Sequence, residues 1–355
     1  MNALRLIAGK TAKQRIAEHG LTPALVRMLV GASGGPKWLV LLGLDKFIFG
    51  QWLADTPQKI DLVGSSIGAW RMAVAAHPDA AALYERFVDL YFQFRATDAR
   101  PPQALTRASY VMLDRLFAGG EATRIVGNER RNLNIVTARS KGLEAGSSNW
   151  QEGGRILAAV GANAVKRANL AKLFDRVVFH TGDKAACPPV WQDFGRTDVR
   201  LQADSLADVL MASGSIPFVA DPIVDIKGAP AGVYRDGGVI DYHFDIPWAP
   251  DTGVVLYPHF YGHIIPGWFD KKRTARRAVG ATWDHTLMLA PSDDFVASLP
   301  GGKIPERRNF TDMNDKERLA YWTVVTRESE RLADEFCACL ENHDRLMTRL
   351  EAAPQ

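Results

Sequence analysis

The residues best suited to do chemistry are Gly64-Ser65-Ser66-Ile67-Gly68, a G-x-S-x-G pattern centred on Ser66. The run "KIDLVG" ahead of it reads as a short strand, and "SSIGAWRMAVAA" after it reads as a helix that stops at His77-Pro78. A sharp turn between strand and helix lifts a serine hydroxyl out of a sheet, and Gly64 and Gly68 let neighbouring backbones pass without clashing Cβ atoms. The helix adds its positive N-terminal end at the same place. Ser65 is expected to turn away or to cap the helix.

A serine nucleophile needs a base, and acyl transfer needs donors for the developing oxyanion. The stretch "GASGGPKW", Gly31 to Trp38, is a second glycine turn after an apolar run. It approaches the phosphate-loop pattern G-x-x-x-x-G-K-[ST] and departs from it twice. Pro36 has no N–H to offer a phosphate, and Trp38 replaces the hydroxyl residue that would hold magnesium. As a turn beside the serine, it could instead aim the N–H groups of Gly34 and Gly35 at a substrate oxygen. A third stretch, Asp236-Gly237-Gly238, taken alone is an ordinary turn at the end of a short strand.

These positions need a scaffold. Strand, glycine turn, helix, strand, sharp turn and helix follow one another from Ala24 to Ala76, the alternation of an α/β fold with a mainly parallel sheet. Reactive residues then lie at the carboxyl ends of strands. Further strands are expected at "NLNIVTA", "RVVFHTG", "GVYRDGG", "GVVLYPH" and "HTLMLAPS". The region from Asp79 to about Asn132 is expected to be mostly helical, broken at "TDARPPQ" and Gly119-Gly120. A helical tail follows over about 312–353, with Leu319, Trp322, Val325, Leu332, Phe336 and Leu340 at helical spacing. No repeat, low-complexity tract or linker divides the 355 residues. One domain over 1–355 is the simplest account, with a motif-bearing core at about 22–300.

With 47% hydrophobic residues the chain can bury a large core. A net charge of +3 is too balanced to argue for a nucleic-acid partner. The three cysteines, Cys187, Cys337 and Cys339, lack disulfide or zinc spacing and suit a reducing, cytoplasmic compartment. The N-terminus breaks its apolar runs with charge, so no secretory signal is expected, and no uncharged spanning segment occurs.

Taken together and in order, "SGGPKW", "GSSIG" and "DGG" resemble the patatin-like phospholipases, over roughly Leu25 to Asp245. "MASGSIPFVADP", Met211 to Pro222, is similar to a further neighbourhood of that family, with Pro217 in place and later spacing altered. The resemblance implies a three-layer α/β/α fold and a Ser–Asp dyad that cleaves lipid acyl esters without histidine or cofactor. It makes Ser66 the nucleophile, Asp236 the general base, Gly34 and Gly35 the oxyanion donors, and Lys37 a support for their loop. Gly64, Gly68, Gly237 and Gly238 are its motif glycines. Ser33 and Trp38 stand where the family usually has glycine, which bears on the shape of the oxyanion loop. The implied activity is of phospholipase A or lysophospholipase type, on a lipid or phospholipid.

Other readings compete. An α/β-hydrolase triad would draw its histidine from His243, His259, His263 or His285. Asp241, His243 and Asp245, or His259 with His263, could suggest a metal, although isolated sets of this kind are mostly surface or turn residues. "IIPGWFDKKRTARR" sets Trp268 and Phe269 beside Lys271, Lys272 and Arg273, a composition suited to peripheral contact with an anionic membrane or to a solvated loop. A catalytically silent lipid-binding protein would keep the fold and dispense with the dyad.

Overall fold

The computed structural model describes residues 2–95, 97, 101–144, 149–186, 191 and 193–355. Cys187 and part of the "TDARPPQ" break lie outside them. Eleven strands form one sheet: β1 Leu4–Ala8, β2 Val26–Gly31, β3 Ile60–Ser65, β4 Arg131–Ser140, β5 Phe174–His180, β6 Arg196–Arg200, β7 Ile223–Val224, β8 Val233–Asp236, β9 Val254–Pro258, β10 Thr286–Pro291 and β11 Leu350–Ala352. Their order is β11-β1-β10-β9-β2-β3-β4-β5-β6, with β8 on β4 and β7 on β8. The centre, β10-β9-β2-β3-β4, is parallel throughout. Its strands are nearly continuous apolar runs because both of their faces are covered.

Helices flank this sheet, as a three-layer α/β/α arrangement requires. The first eight are α1 Lys10–His19, α2 Leu42–Phe47, α3 Ile67–Ala75, α4 Ala80–Phe92, α5 Pro102–Leu116, α6 Glu121–Val126, α7 Asn149–Val165 and α8 Leu206–Gly214. α3 packs on β2, β3 and β4, α8 on β4 and β8, and α1 on β9 and β10. Each strand expected from the sequence forms. Those not expected are β1, β6, β7 and β11, all at the sheet's edges or two to five residues long.

Two expectations change in detail. The segment after the first glycine turn is a 3-10 helix at Gly35–Leu41, then α2, then a π turn at Ile48–Trp52. The tail is helical at Asp315–Glu328, Glu330–Leu340 and His343–Arg349, but Leu350–Ala352 joins the sheet as β11, parallel to β1. The reason is geometric: β1 is otherwise an open edge, and pairing it satisfies its backbone groups.

Beneath the serine turn, Arg71 of α3 donates two hydrogen bonds to Asp45 of α2, at 2.7 and 2.8 Å, with both side chains fully buried. The Tyr84 hydroxyl donates to the Arg71 carbonyl at 2.9 Å, tying α4 to the same helix. Trp38 is fully buried, stacked on Phe87 at 4.7 Å and edge-on to Tyr91. The indole therefore fills core that a glycine at this position would leave empty. Removing one member of the buried ion pair strands the other charge. Asp45→Ala is expected to lower unfolding free energy by about 3–5 kcal/mol, and Asp45→Leu with Arg71→Met to recover most of that loss. Urea denaturation of the single and double variants measures both.

Candidate active site

Ser66 joins β3 to α3 with φ 54° and ψ −134°, a backbone conformation that a residue with a side chain rarely adopts. What permits the turn is the absence of neighbouring Cβ atoms. One added at Gly64 would lie 2.5 Å from the Gly68 carbonyl oxygen, and one at Gly68 would overlap the Gly31 carbonyl. Gly31 and Gly64 are register partners on β2 and β3, so the two glycine turns leave the sheet side by side.

Asp236 reaches Ser66 through β4. One edge of β4 pairs with β5 over Asn134 to Ser140. The other edge is shared: β3 takes it up to the pair Ser65↔Val136, and antiparallel β8 takes it from the pair Asp236↔Thr137. The ends of β3 and β8 thus meet, and Ser66 Oγ donates to Asp236 Oδ2 at 2.6 Å. Asp236 Oδ1 accepts from the Gly238 N–H at 2.7 Å. A Cβ on Gly237 would overlap the Val136 carbonyl, and one on Gly238 would lie 2.5 Å from Ser33 Oγ. Burial pushes the Asp236 carboxyl up to about 6, against the hydrogen bonds from Ser66 and Gly238 and the charges of Lys271 and Arg307.

Three further serines brace this junction. The Ser66 N–H donates to Ser213 Oγ at 2.9 Å, and that hydroxyl donates to the Val136 carbonyl at 2.7 Å. Ser65 does turn away from the helix: its hydroxyl donates to the Asp241 carbonyl and shares a 2.6 Å hydrogen bond with Ser33 Oγ. Ser33 therefore ties the first glycine turn to the second. Sequence reasoning missed the roles of Ser33 and Ser213, because each partner is distant in the chain.

Gly34 and Gly35 both border the space in front of Ser66. Their N–H groups have no acceptor among the described residues, while the Ser33 N–H is held by the Tyr242 carbonyl. Gly35 needs its φ of +56°, and Gly34 needs its missing Cβ because the Phe260 ring lies against it. Lys37 makes no hydrogen bond to the loop it was expected to support. Its ammonium lines the cleft, and burial lowers its pKa.

Two cavities meet at Ser66. The larger, about 1040 Å³, is walled chiefly by Ile67, Trp70, Phe94, Leu105, Met112 and Phe218. The smaller, about 470 Å³, contains Asp236, Lys37 and the segment Trp268, Phe269, Lys271, Lys272 and Arg273. Trp268 to Arg273 thus forms one wall of the cleft.

No histidine lines either cavity. His243 and His259 lie buried beside each other, ring centres 4.4 Å apart, and burial holds both well below the usual histidine range. His263 stacks on Tyr261, and His285 lies beside Asp284. The supposed Asp241, His243 and Asp245 set is dispersed: Asp241 pairs with Arg176, and Asp245 accepts from Thr282. Among the described residues no group of three or more His, Cys, Asp or Glu side chains is arranged to hold a metal. Nor is any helix among them long and apolar enough to cross a membrane. Cys339 is buried in the helical tail, and Cys337 beside it is half-buried.

No protein-family model matches the chain, and no curated protein does. Among solved structures, it is similar to VipD from Legionella pneumophila at 14% identity and a TM-score of 0.30. The match covers 66% of this chain and 50% of that one, so the chain spans about half the length of the structure it matches.

The strained turn has a measurable cost. Ser66→Ala and Ser66→Gly both lose the hydrogen bond to Asp236, but only glycine adopts φ 54° freely. Ser66→Gly is expected to be more stable than Ser66→Ala by about 1 kcal/mol in urea denaturation.

Proposed function

We propose that this chain is a serine acyl hydrolase of the patatin-like kind, cleaving lipid acyl esters of phospholipase A or lysophospholipase type through Ser66 and Asp236. The observation that carries the reading is the 2.6 Å hydrogen bond from Ser66 to a buried carboxylate, at the mouth of a large apolar cavity and beside two unpartnered glycine N–H groups. As Ser66 Oγ attacks the ester carbonyl, Asp236 takes its proton, and the carbonyl π pair moves onto oxygen. The N–H groups of Gly34 and Gly35 receive that oxyanion. The Ser66 N–H is already committed to Ser213, which leaves this task to the glycine turn. Collapse reforms the carbonyl and breaks the bond to the alcohol oxygen, which takes the proton from Asp236. Water then repeats the sequence on the acyl-enzyme and releases the fatty acid, with Asp236 again as base.

The larger cavity suits the acyl chain, because its wall is mostly apolar, with Arg307, Arg308 and Asp312 confined to one stretch of its lining. Exposed Phe218 on that wall, with Leu157 and Val160 on α7, fits peripheral attachment to a membrane surface from a cytoplasmic protein of one domain. A histidine triad has less support: Ser66 donates directly to Asp236, and the histidines lie elsewhere.

Fluorophosphonate labelling followed by intact mass tests the dyad. One adduct is expected on the parent protein, none on Ser66→Ala, and labelling slower by about 100-fold or more on Asp236→Asn. Labelling of another serine, or none at all, would overturn the dyad and favour a silent lipid-binding protein. Because the base must be ionised, kcat/KM on a neutral ester is expected to rise with pH through about 6, where Asp236 loses its proton. A profile flat from pH about 5 to 7 would remove Asp236 from the role of base.

A further inference from the structure

The smaller cavity has a charge pattern that hydrolysis by the dyad does not use. Lys37, Lys271, Lys272, Arg273 and Arg307 line it, and Asp236 is the single carboxylate among its lining residues. Several structural cations in this protein are paired with carboxylates: Arg71 with Asp45, Arg176 with Asp241, and Arg276 with Asp270. Lys37 and Lys271 break that pattern. Neither has a hydrogen-bond acceptor or an ion-pair partner among the described residues; Lys271 feels the charge of Lys37, and Lys37 feels those of Glu306 and Arg307. The Lys271 ammonium sits 4.3 Å from the Tyr242 ring centre and 5.3 Å from that of Trp268, held over two aromatic faces at the wall of the cleft.

Lys271 is an exposed side chain that feels the like charges of Lys37 and Arg307 and the opposite charges of Asp236 and Glu306, yet none of the carboxylates forms an ion pair with it. Surrounding protein, with Lys37 next in effect, brings Lys271 down to about 8. An anion bound at Lys271 would offset the like charges of Lys37 and Arg307 and supply the acceptor that its ammonium lacks. The position of the cavity says which part of a substrate such an anion belongs to. Ser66, Gly35, Trp268 and Arg307 are common to both cavities, so an ester carbonyl at Ser66 has a mostly apolar channel, with Arg308 and Asp312 on part of its wall, on one side and this cationic cleft on the other.

We propose that Lys271, with Lys37, forms a subsite for the alcohol portion of the ester, and that the substrates are acyl esters whose leaving alcohol carries net negative charge, such as anionic phospholipids. This rests on the hydrolase reading above and adds the substrate class to it. Lys271 acts by binding the leaving group and is a specificity-determining residue.

The test compares three esters on the full chain: dihexanoyl-phosphatidylglycerol, dihexanoyl-phosphatidylcholine and p-nitrophenyl butyrate. The two lipids are used as monomers, so that surface charge of an aggregate plays no part. The parent protein is expected to favour the glycerol lipid over the choline lipid by about tenfold in kcat/KM, mainly through KM. Lys271→Met should bring the ratio close to one, and Lys271→Arg should retain it. In the parent the ratio should fall as pH rises through about 8, where Lys271 loses its charge. In Lys271→Arg it should hold, because arginine stays protonated. The other groups facing Lys271 are Lys37, Asp236, Glu306, Arg307 and Tyr242, and the Lys271→Arg comparison separates their titration from its own.

Turnover of p-nitrophenyl butyrate with equal rates on the two lipids would overturn the subsite and leave the hydrolase reading standing. So would a preference that survives in Lys271→Met. Failure to cleave any of the three, together with no fluorophosphonate adduct, would remove the hydrolase reading and the subsite with it.

Discussion

The first turn of α3 lies directly against the end of β2, so closely that neither Gly31 nor Gly68 has room for a Cβ. This backbone contact is the constraint on which the rest of the cleft depends. Because α3 can sit that low, the turn before it must reverse within Ser66 itself, which accounts for the positive φ. The first glycine turn then comes off β2 in register with the second, and its free N–H groups fall beside the hydroxyl. A methyl group at Gly68 would lift α3 and separate serine from donors at once. The Ser33 to Ser65 hydrogen bond locks the two turns together, at a position where a third glycine would leave the contact unmade.

A second constraint is the division of one β4 edge between β3 and β8. Sheet register is quantised in residues, so pairing Ser65 with Val136 and Asp236 with Thr137 fixes the serine to carboxylate distance more firmly than a loop could. The cost is borne by Asp236. Its carboxyl titrates higher in the folded chain than the ordinary 3.8, so its ionised form opposes folding. That opposition is absent below about 4 and complete above about 6, the range in which a general base must work. Together with the strain at Ser66, it concentrates destabilising features at two residues that packing alone would not select.

How much of this could be read from sequence follows from the range of the interactions. Both glycine turns were legible because strand, turn and helix are contiguous, and so were the central strands, whose apolar runs reflect burial on two faces. Asp236 was legible only through its resemblance to a family motif, since β8 is four residues long and meets β4 a hundred residues away. β1 and β11 escaped notice because each is short, and a strand that forms on a distant partner carries little periodicity of its own. Ser213 stood inside a stretch already singled out, but a hydroxyl that accepts from one strand end and donates to another has no local signature. Lys271 was grouped with its basic neighbours as a surface patch. These basic residues are exposed, and what the fold adds is the placement of the Lys271 ammonium over Tyr242 and Trp268 at the rim of the cleft.

The proposed subsite at Lys271 would link binding to chemistry. Lys271 and Arg307 are among the charges that hold the Asp236 carboxyl down against the effect of burial. An anionic group bound at Lys271 would offset part of that field and raise the carboxyl's proton affinity. A base with higher proton affinity takes the serine proton more readily, provided the ambient pH keeps it ionised beforehand. The lysine proposed to select the leaving group would therefore also tune the base that takes the proton of Ser66, and do so only when the subsite is filled. On the proposed reading the two cavities are not equivalent ends of one groove: the more apolar side would set affinity for the acyl chain, and the cationic side would couple occupancy to the proton transfer at Ser66.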